Sequence, residues 1–413
     1  MQTALFIVAA FLTLAAAAGW LNQRFFRMPA SLAMLMAGLV CALLLGLADR
    51  FWPENAAFNW IGSAVTEVDF SGALLDFLLA FVLFSGGLGI DSGLFRSKWR
   101  SAAALAGLGT VLSVVAIYAG IVLLAAATGM DVPPAWALVF AALVAPTDAV
   151  AVQSVDANAI SKEARVVLQG EALFNDGVGI VLYGSALAAA MSNAPIHPGE
   201  AGLDMLRESV LGLLVGYMGG WLAVRILRNV DDLFTDVLIT MATAAAVFAI
   251  SLAIGASGPI AAALAGVMVG GISTRHALTK DDKRYMRGFW RVIDGLLNAF
   301  IFLLLGLEAI SIDAWGKVWF IALAAAFIAL FARGLAVSLT GLVLRGTPIG
   351  SNFRSLPVLV WGGARGAVSV ALALAIPESP YRQTILACAF AAVLVSMFIQ
   401  LPTLSRVADW ARR

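Results

Sequence analysis

The sequence predicts an all-α, polytopic membrane protein, and three observations carry that prediction. First, 62% of the 413 residues are hydrophobic and only 12% are charged, where a soluble domain carries roughly a quarter charged residues. Second, the apolar residues gather into runs of the length a bilayer demands, about 20 residues per helix. Third, the basic residues between those runs alternate between dense and sparse loops.

Apolar runs and breakers give about 13 transmembrane segments. They lie near 3–20, 30–48, 72–90, 101–127, 136–156, 166–191, 208–227, 235–254, 257–272, 288–309, 317–343, 355–376 and 383–404. The longer ones imply tilt or protrusion from the bilayer. Met1-Gln2-Thr3 sets no positive charge before the first run, so that run reads as a span and not as a cleaved signal peptide.

Twenty of the 26 Lys and Arg residues fall in loops after odd-numbered segments, from Arg24 and Arg27 to Arg406, Arg412 and Arg413. Only Arg50, Arg207, Lys317 and Arg382 follow even-numbered ones, while Arg333 and Arg365 lie inside segments. The positive-inside rule then places the N-terminus outside and the C-terminus in the cytoplasm. The stretch 49–71 mixes Trp52, Phe58 and Trp60 with Glu54, Glu67 and Asp69 and reads as interfacial. Residues 1–413 thus form one transmembrane unit, with membrane lipid as its partner and no soluble domain.

Composition also narrows function. A net charge of +1 provides no field for nucleic acid. Cys41 and Cys388 lie in apolar stretches and read as small buried side chains. His197 and His276 fall in polar loops, which argues against a histidine-ligated metal centre. No nucleophile constellation or phosphate loop marks an enzyme.

Two segments are interrupted. In the fifth, Ala145-Pro-Thr-Asp148, Pro146 lacks an N–H and clashes with the preceding turn, so the helix kinks or breaks beside Thr147 and Asp148. In the twelfth, Trp361-Gly-Gly-Ala-Arg-Gly366, Gly362, Gly363 and Gly366 loosen the helix around the intramembrane cation Arg365. A proline kink and a glycine packing face are the bland readings; a charge beside each break favours a site. The two segments are seven apart and cross the bilayer in opposite directions. This is the parity of an inverted repeat, with segments 1–6 matching 8–13 and segment 7 as linker, which is where transporters place their sites.

The densest intramembrane charge lies in segment six, Gly170-Glu-Ala-Leu-Phe-Asn-Asp-Gly177. Glu171 and Asn175 share a helix face, whereas Glu171 and Asp176 lie roughly 140° apart at about 3.6 residues per turn. The two acids therefore have different partners. A carboxylate withdrawn from water holds its proton more tightly, while a bound cation stabilises its charged form. Proton and cation then compete for Asp176. Hard cations favour oxygen ligands, which Asp148, the Thr147 hydroxyl and unwound carbonyls can supply, with Asn175 orienting the carboxylate. Glu171 needs a cation to offset burial; Arg333 and Arg365 are the candidates, and a structural Glu171–Arg333 pair is expected. Asp76, Asp236, Asp294 and Glu308 lie nearer segment ends and read as mouth or interfacial residues.

Ala145-Pro-Thr-Asp-Ala-Val150, Gly170-Glu-Ala-Leu-Phe-Asn-Asp-Gly177 and Trp361-Gly-Gly-Ala-Arg-Gly-Ala-Val-Ser369 resemble motifs of the monovalent cation:proton antiporters, closest to the NhaP-like sodium/proton exchanger branch. The resemblance covers nearly the whole chain. It implies a homodimer in a bacterial inner membrane that serves pH homeostasis, with no cofactor beyond the transported cation and proton. Each protomer would have a core domain around segments 4–6 and 11–13, moving like an elevator, and a dimerisation domain from the remainder. Two discontinuous helices, segments five and twelve, would cross in the core.

By the same resemblance, Asp176 and Asn175 bind the cation, Thr147 and Asp148 form the broken-helix pair, and Glu171 with Arg333 is the structural ion pair. Asn before the key Asp implies electroneutral exchange. Two positions depart from the pattern. Ser85, in Phe84-Ser-Gly-Gly-Leu88, replaces a glutamate, and Ala172 replaces a serine; both bear on which ion is taken. A potassium/proton antiporter on the same scaffold is the alternative, and a passive cation channel a remoter one.

Overall fold

The computed structural model describes residues 2–51, 72–148, 160–192, 198–230, 232–272, 280–308, 317–343 and 356–412. The described residues are helical apart from short connections, with no strand among them. In chain order the helices are α1 (Gln2–Leu21), α2 (Ala30–Phe51), α3 (Gly72–Gly89), α4 (Ser92–Ala104), α5 (Thr110–Thr128), α6 (Pro134–Val144), α7 (Lys162–Ser192) and α8 (Pro198–Leu227). They continue as α9 (Leu233–Ala253), α10 (Gly258–Ile272), α11 (Lys280–Glu308), α12 (Lys317–Val343), α13 (Leu356–Trp361), α14 (Ala367–Leu374), α15 (Arg382–Val395) and α16 (Leu401–Arg412). A π-helical turn at Leu105–Gly109 joins α4 to α5, and another at Ser396–Gln400 joins α15 to α16.

Among the described residues, eight helical stretches are long and apolar enough to cross a membrane, and three shorter apolar helices accompany them. These helices expose many large apolar side chains, among them Leu43, Leu203, Met218, Phe320 and Phe331. That is the surface a bilayer solvates, because lipid imposes no cost on an exposed hydrocarbon.

Helical structure falls on every predicted segment, but its ends differ from the apolar runs. Arg96, Lys98 and Arg100 were expected in a loop and lie within α4; Arg207 lies in α8, Arg284, Arg287 and Arg291 in α11, and Arg406 in α16. Apolar length marks the hydrocarbon crossing, whereas a helix continues into the headgroup region, where long basic side chains reach water. Asp91 caps α4 by accepting from the backbone N–H groups of Gly93 (3.0 Å) and Leu94 (3.1 Å), which fixes the helix start at Ser92, well before the apolar run. The expected interfacial stretch around 49–71 lies outside the described residues from 52 onward, as do His197 and His276.

Two hydrophobic clusters organise the interior. The larger joins α5, α6, the second half of α7, α12 and α15, with Leu32 and Leu35 of α2 and Phe302 of α11 against it. The other joins α3, α9 and α10 with Ala223 and Leu227 of α8 and Met286 and Trp290 of α11. Without a hydrophobic driving force between helices in lipid, close approach through small residues holds such elements together. Gly38 of α2 and Gly306 of α11 illustrate this. A Cβ on Gly306 would fall 2.7 Å from the Gly38 Cα, so an alanine there would push the two backbones apart.

Candidate functional site where two helix interruptions meet

Two chain interruptions face each other in the interior. α6 stops at Val144, and Pro146, Thr147 and Asp148 follow in non-helical backbone. Residues 149–156, the rest of the expected fifth segment, lie outside the described residues. In the twelfth segment α13 stops at Trp361, the chain runs open through Gly362–Gly366, and α14 begins at Ala367. The Asp148 N–H donates to the Ala364 carbonyl at 2.8 Å, so each interruption gives the other a partner for a backbone group its own helix does not satisfy.

Arg365 strengthens this junction. Its Nη1 donates to the carbonyls of Ala145 and Pro146, the latter at 2.9 Å, and its Nη2 donates to Ala329 at 3.2 Å. A buried guanidinium thus sits on the C-terminal carbonyls of α6, where the helix dipole is negative. The Asp148 side chain lies at the opposite pole. A Cβ on Gly366, the residue before α14, would come 2.5 Å from its Cγ, which puts the carboxylate at the positive end of α14. The Arg365 N–H donates to Ser396 Oγ (3.0 Å), and that hydroxyl donates to Gln400 Oε1 (2.6 Å).

α7 brings the remaining site residues. Asn175 is fully buried and its Nδ2 donates to Thr147 Oγ1 at 2.9 Å. The amide thus bridges α7 to the interruption that carries Asp148. Its Oδ1 has no hydrogen-bond partner among the described residues, a state that costs about 1–3 kcal/mol for a buried acceptor. Asp176 follows, 9% exposed, and interacts through space with Asp148. Among the described residues no basic side chain pairs with Asp176. α7 lies tight against the interruption, because a Cβ on Gly179 would come 3.1 Å from the Pro146 Cδ.

One turn earlier the electrostatics are opposite. Glu171 is fully buried and held two-pronged by Arg333, with Nη1 on Oε1 and Nη2 on Oε2 at 2.7 Å. Arg333 Nη2 also donates to the Leu359 carbonyl at 3.1 Å, tying α12 to α13. Of the two cations the sequence offered, Arg333 takes the glutamate and Arg365 takes carbonyls. Gly363 leaves room for the pair, since a Cβ there would fall 2.9 Å from the Arg333 Cζ. Gly362 likewise lies against Leu168 of α7, at 2.7 Å from a built Cβ.

The two departures have plain surroundings. Ser85 Oγ donates to the Trp290 carbonyl at 3.1 Å, and Ala172 is buried. Ser396 and Gln400 were missed by sequence reading. Their signal was a polar pair four residues apart within an apolar segment. No group of three or more His, Cys, Asp or Glu side chains fit to hold a metal ion occurs among the described residues.

The model of a known family matches residues 8–410 and carries the description sodium/hydrogen exchanger, transmembrane. The chain belongs to the sodium/hydrogen exchanger family. Within it, this exchanger-family protein is 33% identical over 410 residues to the Na(+)/H(+) antiporter NhaP of Pseudomonas aeruginosa, covering 95% of this chain and 94% of that one. It is 31% identical over 388 residues to the Na(+)/H(+) antiporter NhaH of Halobacillus aidingensis, covering 92% and 91%. Its fold matches that of the sodium proton antiporter MjNhaP1 from Methanocaldococcus jannaschii at a TM-score of 0.74 and 18% identity, over 98% of this chain and 99% of that one. The family consists of transporters and not enzymes, and the chain is an integral membrane protein.

Proposed function

We propose that the protein is a secondary antiporter that exchanges Na⁺ or Li⁺ for H⁺ at Asp176. The observation that carries this reading is the junction itself. Two interruptions are joined by the Asp148–Ala364 hydrogen bond, and beside them an acid without a basic partner stands next to a second acid. A carboxylate in that position needs either a proton or a cation to offset its charge. Only one can occupy it at a time, and this exclusion makes the transport an exchange. Asp148, Thr147 and Asn175 would supply further oxygen ligands for a hard cation. Asn175 before Asp176 resembles the pattern of electroneutral relatives, so the cycle proposed exchanges one cation for one proton.

The rest of the cycle follows from the same architecture. The cluster joining α5, α6, α7, α12 and α15 supports a core domain around segments 4–6 and 11–13. In that domain the two discontinuous helices cross, as the halves of an inverted repeat. The cluster around α3, α9 and α10 supports a scaffold against which the core slides, elevator-like. The exposed apolar face of α8, with Leu203, Leu206, Leu213, Leu214 and Met218, supports contact with lipid or with the second protomer of a homodimer. The relatives are bacterial, which with the basic-residue bias supports an inner-membrane location with the N-terminus outside.

The test is exchange in liposomes with an imposed pH gradient and a lumenal pH dye, with Na⁺, Li⁺ or K⁺ added separately. Na⁺- or Li⁺-dependent proton flux that disappears in Asp176→Ala is expected; flux driven by K⁺ alone, or surviving that substitution, overturns the reading. Clamping the voltage with an ionophore should leave the rate nearly unchanged, and strong voltage dependence would reject one-for-one exchange.

A further inference from the structure

α11 carries Arg284, Arg287, Arg291, Asp294 and Asn298 at intervals of three and four residues, which aligns them along one side of the helix. This polar stripe runs inward from the end where the basic residues concentrate. It meets a cavity of about 460 Å³ between α3, the start of α4, α7 and α11, lined by Ser85, Asp91, Gln169, Arg287, Arg291 and Asp294 among others. All the elements present the same end to it: the last turn of α3, the first turns of α4 and α7, and the first half of α11.

The polar groups of this cavity have unequal commitments. Asp91 caps α4 with its side chain. Ser85, on the α3 wall, is neutral and spends its proton on the Trp290 carbonyl. Arg287 and Arg291 are exposed. Asp294, one turn beyond Trp290 and half-buried, is held by Asn298, whose Nδ2 donates to its Oδ1 at 3.1 Å and to its backbone carbonyl at 2.8 Å. Among the described residues no arginine forms an ion pair with it, although Arg291 is three residues away. It lies within through-space reach of Asp148, and α11 packs against α14, the helix whose N-terminal end faces Asp148.

We propose that Asp294 is the entry carboxylate for the transported cation, drawing it through this cavity toward Asp148 and Asp176. The inference rests on the exchange reading above. A fixed charge in a cleft with low-dielectric walls concentrates counter-ions. Arg287 and Arg291 oppose that attraction, but they are exposed and screened by solvent. Ser85 is neutral and Asp91 is taken up in capping α4, so the attraction at the half-buried inner part of the cavity falls to Asp294. The cation is attracted and passed on; the competition with the proton remains at Asp176.

Wild type, Asp294→Asn and the double variant Ser85→Asp/Asp294→Asn are compared in Na⁺-driven liposome exchange. Asn at 294 still offers an oxygen to Asn298, and the thermal midpoint in detergent checks its folding. Expected is a rise of about 3- to 10-fold in the Na⁺ concentration for half-maximal exchange, at or just below the roughly 10-fold lower bound of focused fields. The maximal rate should fall by less than half, and the double variant, with its acid returned on the opposite wall, should recover most of the lost affinity. An unchanged half-maximal concentration in Asp294→Asn, or a lower maximal rate at unchanged affinity, overturns the proposal. If Asp294→Asn does not fold, a double variant that folds with wild-type affinity supports it, and one that stays weakened overturns it. Absence of Na⁺-dependent flux in the wild type would instead sink the exchange reading on which it rests.

Discussion

Glu171 and Asp176 are five residues apart on α7, both buried, and treated in opposite ways. Glu171 meets a guanidinium at both oxygens and is fully buried. Asp176 meets no basic partner among the described residues, only a second carboxylate through space. The helix supplies the reason for the division, since five residues turn it by roughly 140°. One acid faces α12, the other the junction of the interruptions. A saturated charge fixes structure; an unsatisfied one must take its partner from solution. The comparison locates the transport chemistry more sharply than burial does, because burial alone would nominate Glu171.

Truncating each acid in turn is the most direct way to break this comparison. Asp176→Ala should abolish exchange yet keep or raise the thermal midpoint, because it deletes a charge with no partner. Glu171→Ala should instead lower stability by roughly 3–5 kcal/mol, the cost of leaving one member of a buried pair uncompensated. Thermal unfolding in detergent beside the flux assay separates the two. If Asp176→Ala destabilised as much as Glu171→Ala, both acids would be scaffold.

A smaller effect probes how the pair is housed. Gly363→Ala places a methyl group 2.9 Å from the Arg333 Cζ, and overpacking of this kind costs typically 1–3 kcal/mol. The guanidinium should be displaced from Glu171, so that Gly363→Ala added to Glu171→Ala costs clearly less than it does alone. Additive losses in that double-variant cycle would show that the glycine serves the chain path and not the ion pair.

The sequence carried the local part of all this and little of the remote part. Pro146, the glycines around Arg365 and the unusual density of charge at 171–176 are legible because each violates what an apolar helix allows. The Glu171–Arg333 pair was legible because a buried glutamate needs a cation and only Arg333 and Arg365 lie inside segments, with the family resemblance favouring Arg333. The Asn175–Thr147 bridge, the placement of Arg365 on the carbonyls of Ala145 and Pro146, and the position of Asp294 in a cavity were not. Each joins segments separated by tens to hundreds of residues, and such contacts leave no periodicity to read. Helix ends were misjudged for a related reason, since hydropathy reports the hydrocarbon layer and not the backbone hydrogen bonds that continue past it.

The mildest expected effect on transport lies at Ser396, which links the two interruptions to the end of the bundle. Its hydroxyl accepts from the Arg365 N–H and donates to Gln400, all three within the interior. Ser396→Ala removes both hydrogen bonds and leaves a buried N–H and a buried amide oxygen unmatched, which costs about 1–3 kcal/mol per group when no water substitutes. The Arg365 side chain keeps its grip on Ala145, Pro146 and Ala329, so the junction should survive. The thermal midpoint should therefore fall while Na⁺ affinity stays within about twofold, a shift of under 0.5 kcal/mol at roughly 1.4 kcal/mol per tenfold. A large loss of affinity with unchanged stability would mean instead that the backbone at Arg365 is held in register for the cation by Ser396, and the junction would then extend from two interruptions to a third element.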